Sequence, residues 1–561
     1  MAASGDNDED FTLHQMVKTL GLEFCPALDL TIPVGKDSLS MKTTWVEDGS
    51  EKSVTSPASL IISAFAPVQD IRKTLTPELC LQTAETVMIF IDLGFGKNRL
   101  GGSCFAQVYN QLGENAPDIE APVLKGFFNA IQTLIKQNKI LAYHDRSDGG
   151  LFVALCEMMF AARCGLYINI DDLGNDTHGV LFSEELGAVI QVHKSDAQAV
   201  ISALTEYQLK GHIIGYPVSE DSAMQLKILQ DDQEVFCETR EHLQKLWSKT
   251  SYQIQKMRDY DLSADQEYAL IDDNNHTGLF AKVPFDDKEN IAAPYINTGV
   301  KPKVAILREQ GVNSHHEMAA AFALSGFDAI DVHMYDLQTG TKKLKDFKGL
   351  AVCGGFSYGD VLGAGGGWAK SILFDNKLCD LFAQFFARSD TFTVGMCNGC
   401  QMLSQIKTLI PGADHWPAFV KNLSAQFEAR LSMVEVLDSP SIIFEGMQGL
   451  KMPIVVSHGE GRTEYANDDD INTLIANQQP VMRYIDSAGL PTEYYPFNPN
   501  GSDQGFTGFS SKDGRVTIMM PHPERAFRLV QMSWSPRSWH KDDQDYSPWM
   551  RLFRNARVWV N

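Results

Sequence analysis

Thr393-Val394-Gly395-Met396-Cys397-Asn398-Gly399-Cys400-Gln401 places one cysteine between a β-prone run and a helical run. Thr391 to Val394 enters it, and Gln401, Met402, Leu403 and Ile406 leave it with helical spacing. The pattern predicts a strand-to-helix corner, with Gly395 and Gly399 keeping it free of Cβ atoms. A helix starting there aims its N-terminal N–H groups at the sulfur, which favours the thiolate. This is the nucleophile-elbow pattern with Cys in place of Ser. Two other readings compete: a small buried hydrophobe, and a redox C-x-x-C formed by Cys397 and Cys400.

Nucleophilic attack on an amide also needs a base and a group that orients it. Val516 to Met520 reads as a strand that breaks at Pro521-His522-Pro523-Glu524. In an extended segment His522 and Glu524 share one side, as base and orienter. Ser457-His458-Gly459-Glu460 offers a rival pair at the same offset but lacks the strand-then-proline context. Around the cysteine, Val304–Leu307, Ala329–Val332 and Gly349–Val352 read as buried-type strands alternating with helices, which predicts a doubly wound α/β domain from residue 303. Ligands in such sheets bind at the carboxyl ends of strands. Both Cys397 and the glycine pair Gly354-Gly355 fall at such ends, and the pair could offer N–H groups to an oxyanion.

The chain has 561 residues, 44% hydrophobic and 21% charged, with a formal charge of −23. That length predicts about three domains, and that charge argues against an electrostatic nucleic-acid binder. Ten irregularly spaced cysteines make no disulfide framework. An acidic start without a signal-peptide core, and no apolar run of about 18 residues, predict a soluble cytoplasmic protein.

Upstream, Ser59–Phe65 and Thr86–Leu93 read as strands, and residues 11–24 and 122–135 as amphipathic helices. Gly35-Lys36 followed by hydroxyls hints at phosphate but lacks the P-loop spacing. His144-Asp145-Arg146-Ser147-Asp148-Gly149-Gly150 groups carboxylates and a hydroxyl before a second helix, Leu151 to Ala162. Such oxygens suit Mg²⁺, and they suit a helix N-cap equally. Residues 251–302, polar and acidic, read as a linker.

Gly395 to Gln401 together with Pro521-His522-Pro523-Glu524 resembles the class I glutamine amidotransferases. Arg308-Glu309-Gln310-Gly311-Val312-Asn313, Cys353 to Asp360, Ser547-Pro548-Trp549-Met550, Ile32 to Ser38 and His144 to Gly150 extend the likeness along the chain. Together they resemble the family of large-type phosphoribosylformylglycinamidine synthases. The resemblance implies a partial AIR-synthase-like N-terminal subdomain (1–115), an AIR-synthase-like C-terminal subdomain (116–250), a linker (251–302) and a class I glutaminase domain (303–561). It implies Cys397 as nucleophile, His522 as base, Glu524 as its partner, and Gly355 and Asn398 as backbone oxyanion donors. It also implies Asp145 as a Mg²⁺ ligand and Ser147 as an ATP contact, which tips the reading of that loop toward function.

The implied reaction is ATP-dependent amidation of formylglycinamide ribonucleotide with ammonia from L-glutamine, in purine biosynthesis. Against the family pattern the chain begins inside the second synthetase half. The glutaminase is therefore expected to be encoded whole and the synthetase in part, with a partner chain as one possible source of the rest. A stand-alone Cys hydrolase and an inactive nucleotide- or partner-binding fragment are the alternatives.

Overall fold

Apolar runs without alternation become the interior of the sheet that carries Cys397. In the computed structural model, which describes every residue except 83–84, 220–223 and 542–544, the chain forms two units, Met1–Trp247 and Ser248–Asn561. The second holds a nine-stranded sheet. Its order is Asp328–His333, Lys303–Arg308, Gly349–Val352, Phe392–Met396, Val516–Met519, Phe506–Ser510, Pro480–Tyr484, Glu428–Val436 and Lys451–His458. The first five are parallel neighbours; the rest pair antiparallel.

Alternate side chains leave each parallel strand on opposite faces. Val304 and Ile306 join Met318, Phe322 and Phe553 in one core. Ala305 and Leu307 join Trp368, Ile372 and Phe382 in the other. Apolar cover on both faces explains the uninterrupted Val-Ala-Ile-Leu run, and the unit is the expected doubly wound α/β layer. Its Phe392–Met396 strand is followed by a helix, Asn398–Gln405.

The first unit is α+β. Its seven-stranded sheet runs Ala142–Asp145, Gly187–His193, Thr86–Asp92, Gly211–Val218, Gly165–Asn169, Gln225–Gln230 and Gln233–Thr239. Helix Gly150–Ala162 packs Leu151, Leu155 and Met159 against Met88, Phe90 and Ile168 on one face. Helices Ala121–Lys136 and Ala197–Glu206 cover Val87, Ile89 and Ile91 on the other.

Two expectations meet a different structure. Residues 59–65 form no strand: Ile61 is 76% and Phe65 95% exposed, and no described strand pairs with them. β-propensity without a ladder partner makes no sheet. In the first part of the stretch read as a linker (251–302), residues 251–258 complete the helix Arg240–Arg258 and a second helix, Asp261–Ala269, follows. Lys256 pairs with Asp265 at 2.7 Å, and the Tyr252 and Tyr268 rings stack at 4.1 Å. Contacts of this polar and aromatic kind join the two helices without an apolar periodicity that marks the junction.

Candidate active site

The turn at Cys397 is tight because its neighbours leave no room for anything larger than glycine. A Cβ on Gly399 would lie 2.2 Å from the Val352 carbonyl oxygen, and one on Gly395 2.5 Å from the Leu403 side chain. The helix can therefore start directly against the neighbouring strand. Cys397 itself stands at φ 51° and ψ −111°, in a region L-residues rarely occupy. Its N–H is tied to the Met519 carbonyl at 2.9 Å, and residue 401 donates to its carbonyl. Strain held in place by surrounding bonds is typical of a positioned reactive group. The Sγ lies 3.6 Å from the Ser457 carbonyl oxygen.

Strand order brings the histidine to the thiol. Phe392–Met396 and Val516–Met519 are parallel neighbours in the register Met396 to Met519. Cys397 follows one strand directly, and His522 lies three residues past the other. His522 Nδ1 meets Glu524 Oε1 at 2.5 Å, with the two residues 1% and 0% exposed. Burial by itself would lower the His522 pKa. The Glu524 carboxylate, ahead of the Cys397 sulfur, overrides it and lifts the imidazole to about 10. The imidazolium is thus stabilised beside the sulfur. A Cβ placed on Gly354 would sit 2.8 Å from the His522 ring and 3.1 Å from Cys397 Cβ, so this glycine marks where the two meet. Sequence reading assigned the Gly354-Gly355 pair to oxyanion binding and did not see this contact. Gly354→Ala is expected to lower catalysis of any thiol-dependent reaction at least tenfold by parting sulfur and imidazole, since a displacement of about 1 Å costs about a hundredfold; steady-state kinetics beside a melting curve checks it.

Gly355 has φ 150° and is packed against Val312 and Asn313. The bridge between these loops is made by Asn313 N–H to Gly354 O and Phe356 N–H to Gly311 O, and neither bond uses the Gly355 N–H. Asn398 is fully buried. Its amide donates to Asp360 and to Gln401, and its oxygen accepts from Ser357 N–H, all at 3.1 Å. These bonds lock the first turn of the helix against the 354–360 loop.

The rival pair does not form. Glu460 Oε2 accepts from Ala364 N–H at 3.0 Å, while neither His458 ring nitrogen has a hydrogen-bond partner among the described residues. Nor does the C-x-x-C close: Cys397 and Cys400 are both free thiols. Cys400 is fully buried, and burial pushes its thiol far above the ordinary range.

In the first unit, Arg146 is 4% exposed, its guanidinium bonded to Asp92 at 2.5 Å and lying over the Phe90 ring. With residue 146 anchored inward, Asp145 and Ser147 on either side are exposed. Asp145 accepts from Tyr143 Oη at 2.5 Å. Such an exposed, oxygen-only donor set fits a hard cation with phosphate oxygens. Among the described residues, Asp145 is not gathered with other acids. Asp148, Glu184 and Cys104 are the ones whose ligand atoms converge within 4.8 Å, and Glu184 already accepts from Cys104 N–H and Gly149 N–H. Lys36, the residue of the phosphate hint, bonds locally to the Asp37 carbonyl and the Ser38 hydroxyl. Among the described residues, no helix is long and apolar enough to cross a membrane.

Three family models match in succession: an FGAR-AT PurM_N-like domain over residues 1–67, the C-terminal domain of AIR synthase related proteins over 93–227, and a CobB/CobQ-like glutamine amidotransferase domain over 301–560. Among solved structures, one of PurLQS from Thermotoga maritima is 24% identical over 47% of this chain and 100% of that one, at a TM-score of 0.36. T. maritima PurL complexed with ATP is 12% identical over 31% of this chain and 27% of that one, at 0.25. A T. maritima glutamine amidotransferase is 14% identical over 40% of this chain and 77% of that one, also at 0.25. At such TM-scores none of these superpositions bears on function. The chain spans less than a third of the PurL chain it matches.

Proposed function

Because the three matched domains, in this order, make the chain one of the phosphoribosylformylglycinamidine synthases, we propose that its second unit hydrolyses L-glutamine to supply ammonia for amidation of formylglycinamide ribonucleotide. The observation that carries the reading is the convergence of Cys397 and His522 at the ends of adjacent parallel strands, with Glu524 on the far ring nitrogen.

The Cys397 thiolate attacks the side-chain amide carbon. The carbonyl oxygen, now negative, is held by the N–H groups of Gly355 and Asn398. His522 passes its proton to the amide nitrogen, the C–N bond breaks, and ammonia leaves a thioester. Water, deprotonated by His522, attacks the thioester; the thiol is regenerated and glutamate departs. Glu524 holds the imidazole in orientation and stabilises its charged form, remaining ionised itself.

For the first unit the reading assigns ATP, with Ser147 among its contacts and Asp145 as ligand of Mg²⁺, which neutralises phosphate charge when bound. Incubation of the 561-residue chain with glutamine tests the glutaminase: glutamate is expected at a rate lost on alkylation of Cys397. A chain with a titratable Cys397 and no glutamate release counts against it. Asp145→Asn is expected to weaken Mg²⁺-dependent ATP binding about tenfold or more with glutaminase unchanged, read by calorimetry; equal nucleotide affinity removes Asp145 from the site.

A further inference from the structure

His458 is 2% exposed, and both of its ring nitrogens are buried without a partner among the described residues. An imidazole always carries at least one donor, and its neutral form one acceptor as well. Burying both unmet costs free energy that packing elsewhere must offset. The position is built with care. Asn422 clamps the loop three times, its Nδ2 on the His458 carbonyl at 2.8 Å, its N–H on the Gly459 carbonyl and its Oδ1 on the Gly461 N–H, both at 2.9 Å. Asn500 holds the Gly461 carbonyl at 2.8 Å, and Gln401, one helical turn past the nucleophile, holds the Glu460 carbonyl at 2.5 Å. The ring lies so close over Gly461 that a Cβ there would fall 2.2 Å from it.

That clamped loop adjoins the thiol. The carbonyl of Ser457 is the group 3.6 Å from Cys397 Sγ. Burial, and after it the positive charge of His522, push the His458 imidazole down to about 3, so it stays neutral wherever the protein is folded and active. Two histidines in one pocket are thereby driven to opposite protonation states, one a cation paired with Glu524, the other a neutral donor–acceptor.

We propose that His458 is a specificity-determining residue, whose unprotonated ring nitrogen accepts an N–H of the substrate's side-chain amide and so selects a primary amide over other acyl groups. The inference rests on the glutaminase reading. An ester of the same acid offers an alkoxy oxygen with no N–H, so it gains nothing from that acceptor. A cationic histidine could not play the part, having no lone pair to offer.

The test compares L-glutamine with the γ-methyl ester of L-glutamate as substrates of the full chain. In His458→Phe, kcat/KM for glutamine is expected to fall about ten- to a hundredfold and that for the ester less than about threefold. The pH profile of iodoacetamide alkylation at Cys397 should not move, since the Cys397–His522 pair is intact. His458→Asn, which keeps a carbonyl acceptor, should recover part of the loss. Gly461→Ala, which pushes the ring aside, should reproduce the amide-selective defect and decides the matter if the Phe variant does not fold. Equal losses on both substrates, no loss, or a shifted alkylation profile each overturn the proposal. A wild-type chain that hydrolyses neither substrate overturns the glutaminase reading, and this inference with it.

Discussion

Cys397→Ala is expected to lower glutamate release from glutamine by about ten-thousand-fold or more, as removal of a covalent nucleophile does. Cys400→Ala is expected to retain activity within a few-fold. The contrast separates the two thiols of one C-x-x-C by environment. Cys397 sits at the end of its strand with an imidazole carried toward its cationic form beside it. Cys400, three residues into the helix side, is sealed in the core, where burial keeps its thiol protonated. A direct coupled assay for glutamate reads both variants. Loss of activity in Cys400→Ala with retention in Cys397→Ala would reverse the assignment and favour redox chemistry.

Glu524→Gln carries the second large effect, because it acts on catalysis and stability together. Without the carboxylate, only the Cys397 sulfur opposes the desolvation that burial imposes on the His522 imidazolium, so its pKa falls from about 10. The amide cannot hold the ring in the same tautomer, and glutamine turnover is expected to fall on the order of a hundred- to a thousandfold. Breaking one member of a fully buried ion pair costs about 3–5 kcal/mol of stability. The sign of the pH dependence follows from the raised value. An imidazole with an ordinary pKa near 6.5 when unfolded and about 10 when folded stabilises the native state fully below about pH 6.5. That contribution is lost progressively as pH rises toward 10. Denaturant melts from pH 6 to 8, below the range where the buried thiols add their own pH dependence, should therefore show wild-type stability declining more steeply than that of Glu524→Gln. A wild-type curve that is flat, or rises, contradicts the pairing.

The legible part of this protein is the part whose physics is local. Val304 to Leu307 and Thr393 to Val394 are apolar without alternation, which only a strand covered on both faces explains, and each became one. The elbow was readable because two glycines flank the cysteine at positions where Cβ atoms would strike Val352 and Leu403. His522 and Glu524 were readable as a pair from their offset, although Pro523–Arg525 forms a 3-10 turn in place of the extended segment the reading assumed. What could not be read was anything set by a distant neighbour. Residues 59–65 have strand composition and no strand beside them. Between residues 252 and 268 the helices meet through polar and aromatic contacts, Lys256 with Asp265 and Tyr252 with Tyr268. The grouping of Asp148 with Glu184 and Cys104 depends on three loops meeting, which spacing within one loop does not disclose. Gly354 likewise has its importance from atoms more than forty residues away.

The register that joins Met396 to Met519 also fixes when the site comes into being. The strand Val516–Met519 is inserted between Phe392–Met396 and Phe506–Ser510, near the middle of the sheet, though it is made near the end of the chain. A growing polypeptide has exposed its nucleophile more than a hundred residues before it possesses the base. Until that last central strand docks, the sheet is split down its middle, the Cys397 N–H lacks the Met519 carbonyl that pins it, and the sulfur has no imidazolium beside it. Closure of this long-range contact is slow compared with local helix formation. Reactivity at the thiol is therefore a late event of folding, gained in one step with the completed sheet.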